Sequence, residues 1–318
     1  ELEGTIKFTN PAIERVIEDP IEIKKLIVWE DGKIELEGGT IPLPKSLSAQ
    51  VGPAKIGITA IHFGSHQKES GTVTRKYRYF GFDGGVNVNP GGVDAKGKGI
   101  KFFYSVDSMS FDAYLQIESL EVSIIIPGNV GSDAATVIIK GFLGMKDVEG
   151  DTEYQGGISL ALPKVKIAGG AAMKLRPKTP AFIIDVWLEM SMPILLGATG
   201  LGIFGFRGLL GIRYVATKAA AGVPDGSWFD YYKALQLEEG VHVNKFEGPN
   251  KTKTYNNPFS IGAGVSLATA SDSGQTFSMK LFLLLSLPNL LYLEGKANIL
   301  SERVGLTGDD PMFFAFIA

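Results

Sequence analysis

Cysteine is absent from the 318 residues of the chain. This absence excludes disulfide bonds, thiolate zinc sites and cysteine nucleophiles, and it leaves the compartment open. An excess of charge of one sign is also missing, because 31 lysines and arginines stand against 34 aspartates and glutamates, for a formal net charge of −3. Without a basic block that could follow a phosphate backbone, no nucleic-acid partner is predicted.

Long apolar runs that could form a membrane-spanning helix are missing too. The 17 residues between Glu189 and Arg207 are uncharged, but they include Pro193 and four glycines, and the 13-residue run 281–293 is interrupted by Pro288. Both runs are shorter than the ~20 residues that such a helix needs. We therefore predict no transmembrane helix and interpret the two runs as buried strands.

Helical patterns are sparse. Two segments combine end caps with helical spacing: residues 11–19, which follow Asn10, and residues 225–240, which end at Gly240. We expect these segments to form one or two short helical insertions in a chain that is otherwise β-structured.

Alternation of apolar and polar residues, which is typical of β-strands, dominates the rest of the sequence. The stretch LIVWEDGKIELEG (26–38) predicts a hairpin around Asp31-Gly32, because Asp-Gly supplies the positive φ of a tight turn. In residues 110–126 the apolar phase shifts by one residue near Ser119. This shift predicts either a β-bulge or two strands that meet at a corner.

The sequence thus predicts an all-β fold: a mostly antiparallel, long curved or coiled sheet, open-barrel-like or sandwich-like, with short helical insertions. Three prolines in residues 38–57 indicate a linker, so we expect an N-terminal β-hairpin module at 1–43 and a main body at 44–318. The chain begins ELEGTIKFTN without methionine and ends in the apolar GDDPMFFAFIA, and we expect it to be a segment of a larger protein.

Residues 200–205, GLGIFG, match the G-x-G-x-x-G pattern of dinucleotide-binding loops. Such a loop requires a helix that opens at the motif. Gly208 and Gly211 lie where that helix would form. We therefore interpret the motif as part of a crowded pair of buried strands, in which glycine allows close packing.

Two candidate ligand sites include residues of the predicted strand around residue 185. One is a carbohydrate-binding wall on a single strand face, made by Asp185, Trp187 and Glu189; the alternative is a solvent-facing polar stripe. The other is an apolar cavity for lipid or a similar ligand, lined by Ile183, Val186, Phe282 and Leu284.

A glycine-rich loop at 82–99 is a candidate Ca²⁺ site, and no other cofactor is predicted. Its oxygen donors lack the EF-hand spacing; they are Asp83, Asn87, Asn89 and Asp94. His62 and His66 have the i, i+4 spacing of helical metal ligands, but IHFGSHQKE contains a glycine in a strand-to-loop context. We interpret both histidines as loop residues.

Two stretches, GATGLGIFGFRGLLGIRY and LEGKANILSERVGLTGDDPMFFAFIA, resemble a poorly characterised family of very large β-rich proteins of bacteria and fungi. The resemblance extends over about residues 160–318 and consists of glycine-rich hairpins, a proline before paired leucines and an acidic-proline-aromatic link into the next strand. It implies architecture and membership in a longer chain rather than an activity.

The function predicted from these observations is that of a non-catalytic structural or protein-interaction segment of a large surface, secreted or particle-associated protein. An extracellular or cell-surface location is favoured. Self-association or a larger parent assembly would supply the partner, through an assembly edge at Phe313, Phe314 and Phe316. The alternatives are a carrier of lipid or another apolar ligand, and a carbohydrate-binding or polysaccharide-active β protein.

Overall fold

The computed structural model of the chain describes residues 2–6, 21–28, 34–43, 48–70, 73–105, 112–128, 130–148, 150–216, 246–249, 258–288, 290–304 and 311–318. Within these ranges the regular elements are antiparallel β-strands and three short 3₁₀ turns, at Ser132–Ala134, Pro163–Val165 and Gly197–Thr199, with no α-helix. The predicted all-β, mostly antiparallel fold class is confirmed. The predicted helical segments 11–19 and 225–240 lie outside the described residues.

The chain divides into two compact units, Glu1–Ser123 and Ile124–Ala318. The first unit contains eight strands: β1 (Leu2–Ile6), β2 (Ile21–Val28), β3 (Ile34–Pro42), β4 (Ser48–Val51), β5 (Ala54–Ser70), β6 (Val73–Val88), β7 (Val93–Ser105) and β8 (Ala113–Gln116). The boundary in sequence falls within a further strand, β9 (Ser119–Ile126).

In the first unit, strands that follow one another in the chain pair with one another, except that β3 and β4 both pair with β5. The predicted N-terminal hairpin is present, with Val28 of β2 opposite Ile34 of β3. Through the pairing of β3 with β5, this hairpin belongs to the same sheet as the strands that follow it. The phase change near Ser119 coincides with a break between β8 and β9, both of which pair with β7.

The second unit is a meander of long strands. Its strands are β10 (Val137–Val148), β11 (Asp151–Leu162), β12 (Ile167–Arg176), β13 (Ala181–Leu195), β14 (Leu201–Ile212), β15 (Val215–Ala216), β16 (Phe246–Glu247), β17 (Phe259–Thr269), β18 (Phe277–Leu287), β19 (Leu290–Ile299) and β20 (Met312–Ile317). From β10 to β14 and from β17 to β20 each strand pairs with the next, and β14 pairs with β17. The short strands β15 and β16 form a separate two-stranded sheet.

Side chains of the second unit alternate between a buried and an exposed face, as the two-residue period of a strand requires. In β18, for example, every even-numbered residue from Ser278 to Ser286 is buried, whereas Leu283 and Leu287 are exposed. The buried face holds a hydrophobic cluster that includes Phe142, Ile183, Leu209, Phe282, Leu284 and Tyr292.

The glycine-rich motif lies in the turn and strand that follow β13. Gly200 is the left-handed residue that ends the 3₁₀ turn, and the rest of the motif continues into β14 without a helix. A side chain at Gly202 would overlap the Cβ of Pro193 on the neighbouring strand β13. The motif is therefore part of a crowded strand pair, as predicted, and lacks the helix of a dinucleotide-binding loop.

Candidate functional site

The exposed face of the second unit is apolar over seven adjacent strands. We call it the outer apolar face. It consists of every second residue, counted from the first, in each of seven ranges: 154–162, 167–175, 182–188, 206–212, 259–267, 277–287 and 291–299. The register places these residues in continuous rows. One such row joins Ile158, Ala171, Val186, Gly208, Ala263, Leu283 and Leu293.

No aspartate, glutamate, lysine or arginine lies on the outer apolar face, and its one side-chain hydrogen-bonding group is the hydroxyl of Tyr154. Several of its side chains are half exposed: Ile158 is 55% exposed, Val186 43% and Leu283 48%. With strands about 4.8 Å apart and a rise of about 3.3 Å per residue, the face measures on the order of 800 Å² in projection. Contiguous apolar patches of that size are rare on soluble monomers.

The opposite face of the same strands carries the charges, and it is buried. Nine charged residues in the described part of the second unit are at most 8% exposed: Asp151, Glu153, Lys174, Arg176, Asp185, Arg207, Lys280, Glu294 and Lys296. The interior of this unit thus holds charges beside its hydrophobic cluster while the outer face is uncharged, so the usual placement of charge on a half-buried sheet is inverted. We call this set the buried charged network.

Glu153 is the centre of one part of the network. It accepts hydrogen bonds from Arg176 Nε at 2.8 Å and from the hydroxyl of Tyr214 at 2.9 Å, and Lys174 Nζ lies 3.9 Å from its other oxygen. Arg176 also donates to the carbonyl of Pro249 at 2.6 Å. Burial, together with the neighbouring Glu153 carboxylate, raises the pKa of Tyr214, so the phenol keeps its proton and remains a donor.

Asp185 and Arg207 form the second part. Two guanidinium nitrogens of Arg207 donate to the two carboxylate oxygens of Asp185, at 3.2 and 2.9 Å, and both side chains are only 2% exposed. The guanidinium also lies 4.0 Å from the ring centroid of Phe282, a cation–π contact. Burial lowers the pKa of Arg207, while the Asp185 carboxylate acts in the opposite direction.

The third part lies on β18 and β19. Lys280 stands directly opposite Lys296, and Phe282 stands opposite Glu294. The hydroxyl of Tyr292 donates to Glu294 at 2.8 Å. These side chains lie in the interior of the second unit, where a buried charge requires a partner.

The predicted carbohydrate wall lies on the buried face. Asp185 is 1% exposed and bound by Arg207, and Glu189 accepts a hydrogen bond from Arg303 at 2.9 Å. Trp187 packs against the hydrophobic cluster. The three residues share a face, as predicted, but the alternative of a solvent-facing polar stripe is wrong for Asp185. Carbohydrate binding stays a prediction.

The four residues predicted to line an apolar cavity are divided between the two faces. Ile183, Phe282 and Leu284 are fully buried in the hydrophobic cluster, whereas Val186 belongs to the outer apolar face. The reason is parity: residues 183 and 186 are an odd number of positions apart on one strand and cannot point to the same side.

The predicted calcium donors lie along β6 and the start of β7. Asn87 stands opposite Asp94, whose carboxylate has Lys96 Nζ at 3.8 Å, and Asn89 is exposed at the turn after β6. Asp83 is engaged elsewhere: its Oδ1 lies 2.6 Å from His62 Nε2 and accepts a hydrogen bond from the Gly99 backbone N–H at 2.6 Å. Among the described residues, no three acidic or histidine side chains converge in a way that could hold a metal ion.

The interpretation of His62 and His66 as loop residues is wrong, because both lie within β5. His62 is 9% exposed; its Nδ1 lies 3.0 Å from the hydroxyl of Thr40, and its Nε2 contacts Asp83. Three neighbouring strands thus contribute one polar residue each to a hydrogen-bonded row. Sequence reasoning missed this row because its members are about 20 positions apart and become neighbours only through strand pairing.

The predicted assembly edge at Phe313, Phe314 and Phe316 lies on β20. In the part of the chain that the structure describes, β20 pairs with β19 alone. Its second backbone edge has no partner strand there, which is the condition for strand addition.

Within the described ranges, no helix is long and apolar enough to cross a bilayer. No family model, curated protein or solved structure gives a significant match to this chain.

Proposed function

We propose that the second unit is a lipid-contacting β segment, whose outer apolar face packs against the acyl chains of a lipid assembly. The observation that carries this proposal is the inversion of the two faces, with the charges buried and an uncharged apolar surface exposed. Hydrocarbon is the environment in which this inversion is favourable, since the aliphatic and aromatic groups of the outer apolar face gain from leaving water.

The size of the face sets the scale of the effect. At about 25 cal/mol per Å² of apolar surface, covering on the order of 800 Å² corresponds to about 20 kcal/mol of transfer free energy. A surface of that strength requires a partner, because leaving it in water promotes aggregation.

The chemistry of the face favours lipid over a protein partner. Protein interfaces carry about one hydrogen bond per 100–200 Å², which fixes their register. The outer apolar face offers the single hydroxyl of Tyr154, and its backbone groups are used in the pairing of neighbouring strands. Contact with hydrocarbon needs no hydrogen bonds and no fixed register. It requires only that the backbone groups of the sheet are already paired with one another.

The dimensions agree as well. The strands that carry the face are 10 to 15 residues long. At about 3.3 Å per residue a ten-residue strand extends about 30 Å, which is the thickness of the hydrocarbon core of a bilayer.

Because the chain contains no cysteine, a single labelled cysteine can test the proposal at any chosen position. Val186→Cys and Leu283→Cys place an environment-sensitive fluorophore on the outer apolar face, and Lys178→Cys places it on an exposed turn. With neutral phosphatidylcholine vesicles, we expect a blue shift and a longer lifetime at positions 186 and 283 but not at 178. Equal spectra with and without vesicles at all three positions would overturn the proposal.

Vesicle flotation tests whether binding to lipid depends on the outer apolar face. The double variant Val186→Asp with Leu283→Asp should remain in the bottom fraction, while Lys178→Asp should float like the wild type. Circular dichroism must show that both variants retain their β-structure. If lipid-free protein instead forms defined oligomers that the double variant abolishes, and the wild type does not float, the face binds a second copy and not lipid.

A second candidate function, assembly by strand addition, is supported by β20. Within the described residues the backbone of this strand is paired on one side only. An added strand would extend the sheet through main-chain hydrogen bonds. Removing residues 311–318 should then abolish oligomers measured by light scattering; an unchanged mass in a folded variant contradicts strand addition.

A further inference from the structure

One end of the second unit carries apolar side chains that project beyond its sheet. The meander brings the ends of β11, β13 and β19 to the same end of the unit, because every other strand runs in the same direction. Met192 and Leu195 at the end of β13 are 81% and 65% exposed, and Leu300 after β19 is 82% exposed. We call these three residues the apolar tip.

Met192 and Leu195 are exposed because β13 is longer than its neighbour β12. β12 is paired with β13 only from Glu189 back to Ala181, whereas β13 continues to Leu195 beside β14. Among the described residues, the extension therefore has no paired strand on its β12 side. Its exposed side chains are apolar, although an extension into water would ordinarily carry polar ones.

Two lysines lie at the same end. The turn between β11 and β12 is a 3₁₀ turn with the sequence Pro163-Lys164-Val165, and Lys166 follows it in the left-handed conformation. Both lysines are exposed, and Val165 between them is 51% exposed. Lysines beside exposed apolar residues are the pattern of a surface that enters the boundary between headgroups and acyl chains.

The carboxylates of this end are mostly engaged. Glu189 is paired with Arg303. Asp272 accepts hydrogen bonds from the hydroxyl of Thr269 and from the backbone of Gly274 and Thr276, and these bonds hold its pKa below the ordinary range. Asp272 and the exposed Glu302 therefore keep their negative charges, but they follow β17 and β19, whereas the two lysines follow β11.

At the opposite end, the described turn between β12 and β13 has a different character. It is polar and bonded to the neighbouring turn: Lys178 Nζ donates to the carbonyl of Gly150 at 2.9 Å, and the Thr179 N–H donates to Asp151 at 2.9 Å. The two ends of the unit thus differ in how they can meet a bilayer.

We infer that the end with the apolar tip enters an anionic lipid surface, with Met192, Leu195 and Leu300 among the acyl chains and Lys164 and Lys166 against lipid phosphates. This inference rests on the proposed lipid-contacting function and adds to it an orientation and a headgroup class. The phosphate is that of a bilayer lipid, because the tip beside the lysines is apolar and would gain nothing from a soluble phosphate.

The test compares vesicles of phosphatidylcholine with vesicles that contain about 30% phosphatidylglycerol. A lysine near an anionic surface contributes about fivefold in affinity, so Lys164→Gln with Lys166→Gln should lower binding to the anionic vesicles about 20- to 30-fold. Binding to neutral vesicles should not change. Lys178→Gln, at the opposite end, is the matched control and should bind both kinds of vesicle like the wild type.

A fluorophore at Leu300→Cys should be quenched by spin-labelled lipids, and one at Lys178→Cys should not. The inference is overturned if the lysine variant binds anionic vesicles as tightly as the wild type, or if position 178 is quenched and position 300 is not. The proposed function fails separately, when labels at Val186 and Leu283 do not respond to neutral vesicles.

Discussion

The buried pair Asp185–Arg207 provides the most direct test of the inverted arrangement. We consider three variants: Arg207→Met, Asp185→Leu, and the two together. Each single substitution leaves one charge in the interior without its bidentate partner, at a site where both side chains are 2% exposed. The double variant removes both charges and replaces them by apolar side chains.

The expected magnitudes differ strongly between the variants. Removal of one partner of a buried ion pair costs about 3–5 kcal/mol, because the remaining charge is desolvated and uncompensated. The Arg207 variant belongs at the upper end of this range, since it also loses the cation–π contact with Phe282. For the double variant we expect a change of less than about 2 kcal/mol, because buried pairs replaced by apolar residues are often neutral.

The assay is equilibrium unfolding in urea, with the free energy of unfolding extrapolated to zero denaturant. The double-mutant cycle should give a coupling energy above about 2 kcal/mol. Single variants that each cost less than about 1 kcal/mol, with additive effects, would refute the reasoning; they would mean that water reaches this pair and that the face is not the interior of the unit.

Three further predictions concern the faces, the network and the glycine-rich strand. Ile183→Ala should lower the free energy of unfolding by about 2–5 kcal/mol, whereas Val186→Ala on the same strand should lower it by less than about 1 kcal/mol; similar losses in denaturation curves would contradict the assignment of faces. Burial and Glu153 raise the pKa of Tyr214 in the folded chain. Above pH 10 the unfolded chain therefore loses a Tyr214 proton that the folded chain keeps, and the free energy of unfolding should fall as the pH rises. Tyr214→Phe should show a shallower fall between pH 9 and 11.5, and identical slopes would disprove the linkage. Gly202→Ala should cost about 1–3 kcal/mol because its new methyl group meets Pro193, while Gly208→Ala, whose nearest neighbour is 3.7 Å away, should be neutral or slightly stabilising; thermal unfolding separates the two.

Local patterns in the sequence predict the strands well. The Asp-Gly hairpin places β2 opposite β3 as expected, and the phase change near Ser119 does mark a break between strands. Both features depend on a few consecutive residues, whose conformational preferences act before any tertiary contact forms.

The orientation of the strands could not be read in the same way. Strands such as β18 are apolar at nearly every position, so periodicity does not say which side faces the interior. The one available signal was the polar minority, since Ser278, Lys280 and Ser286 all occupy even positions. Polar residues ordinarily mark the solvent side, and here they mark the buried side; the Ser286 hydroxyl, for example, is hydrogen-bonded to Ser260 on the neighbouring strand β17.

The hydrogen-bond partners of the candidate site residues could not be read from the sequence for a related reason. Asp185 and Glu189 are on one strand face, as the spacing required, but their partners Arg207 and Arg303 come from elsewhere in the chain. Sequence spacing gives the parity of a residue on its own strand. It cannot give the register of the next strand, which decides whether a carboxylate meets a ligand or an arginine.

The ion pairs of the buried charged network have a consequence for how the sheet can grow. Glu153 and Arg176 lie on β11 and β12, and Asp185 and Arg207 lie on β13 and β14, so each pair closes within one hairpin of consecutive strands. A hairpin of this kind brings its own counter-charge. It can leave water without exposing an unpaired ion to a medium of low dielectric constant. The sheet can therefore extend by one hairpin at a time, and each such hairpin brings a buried cation together with its anion.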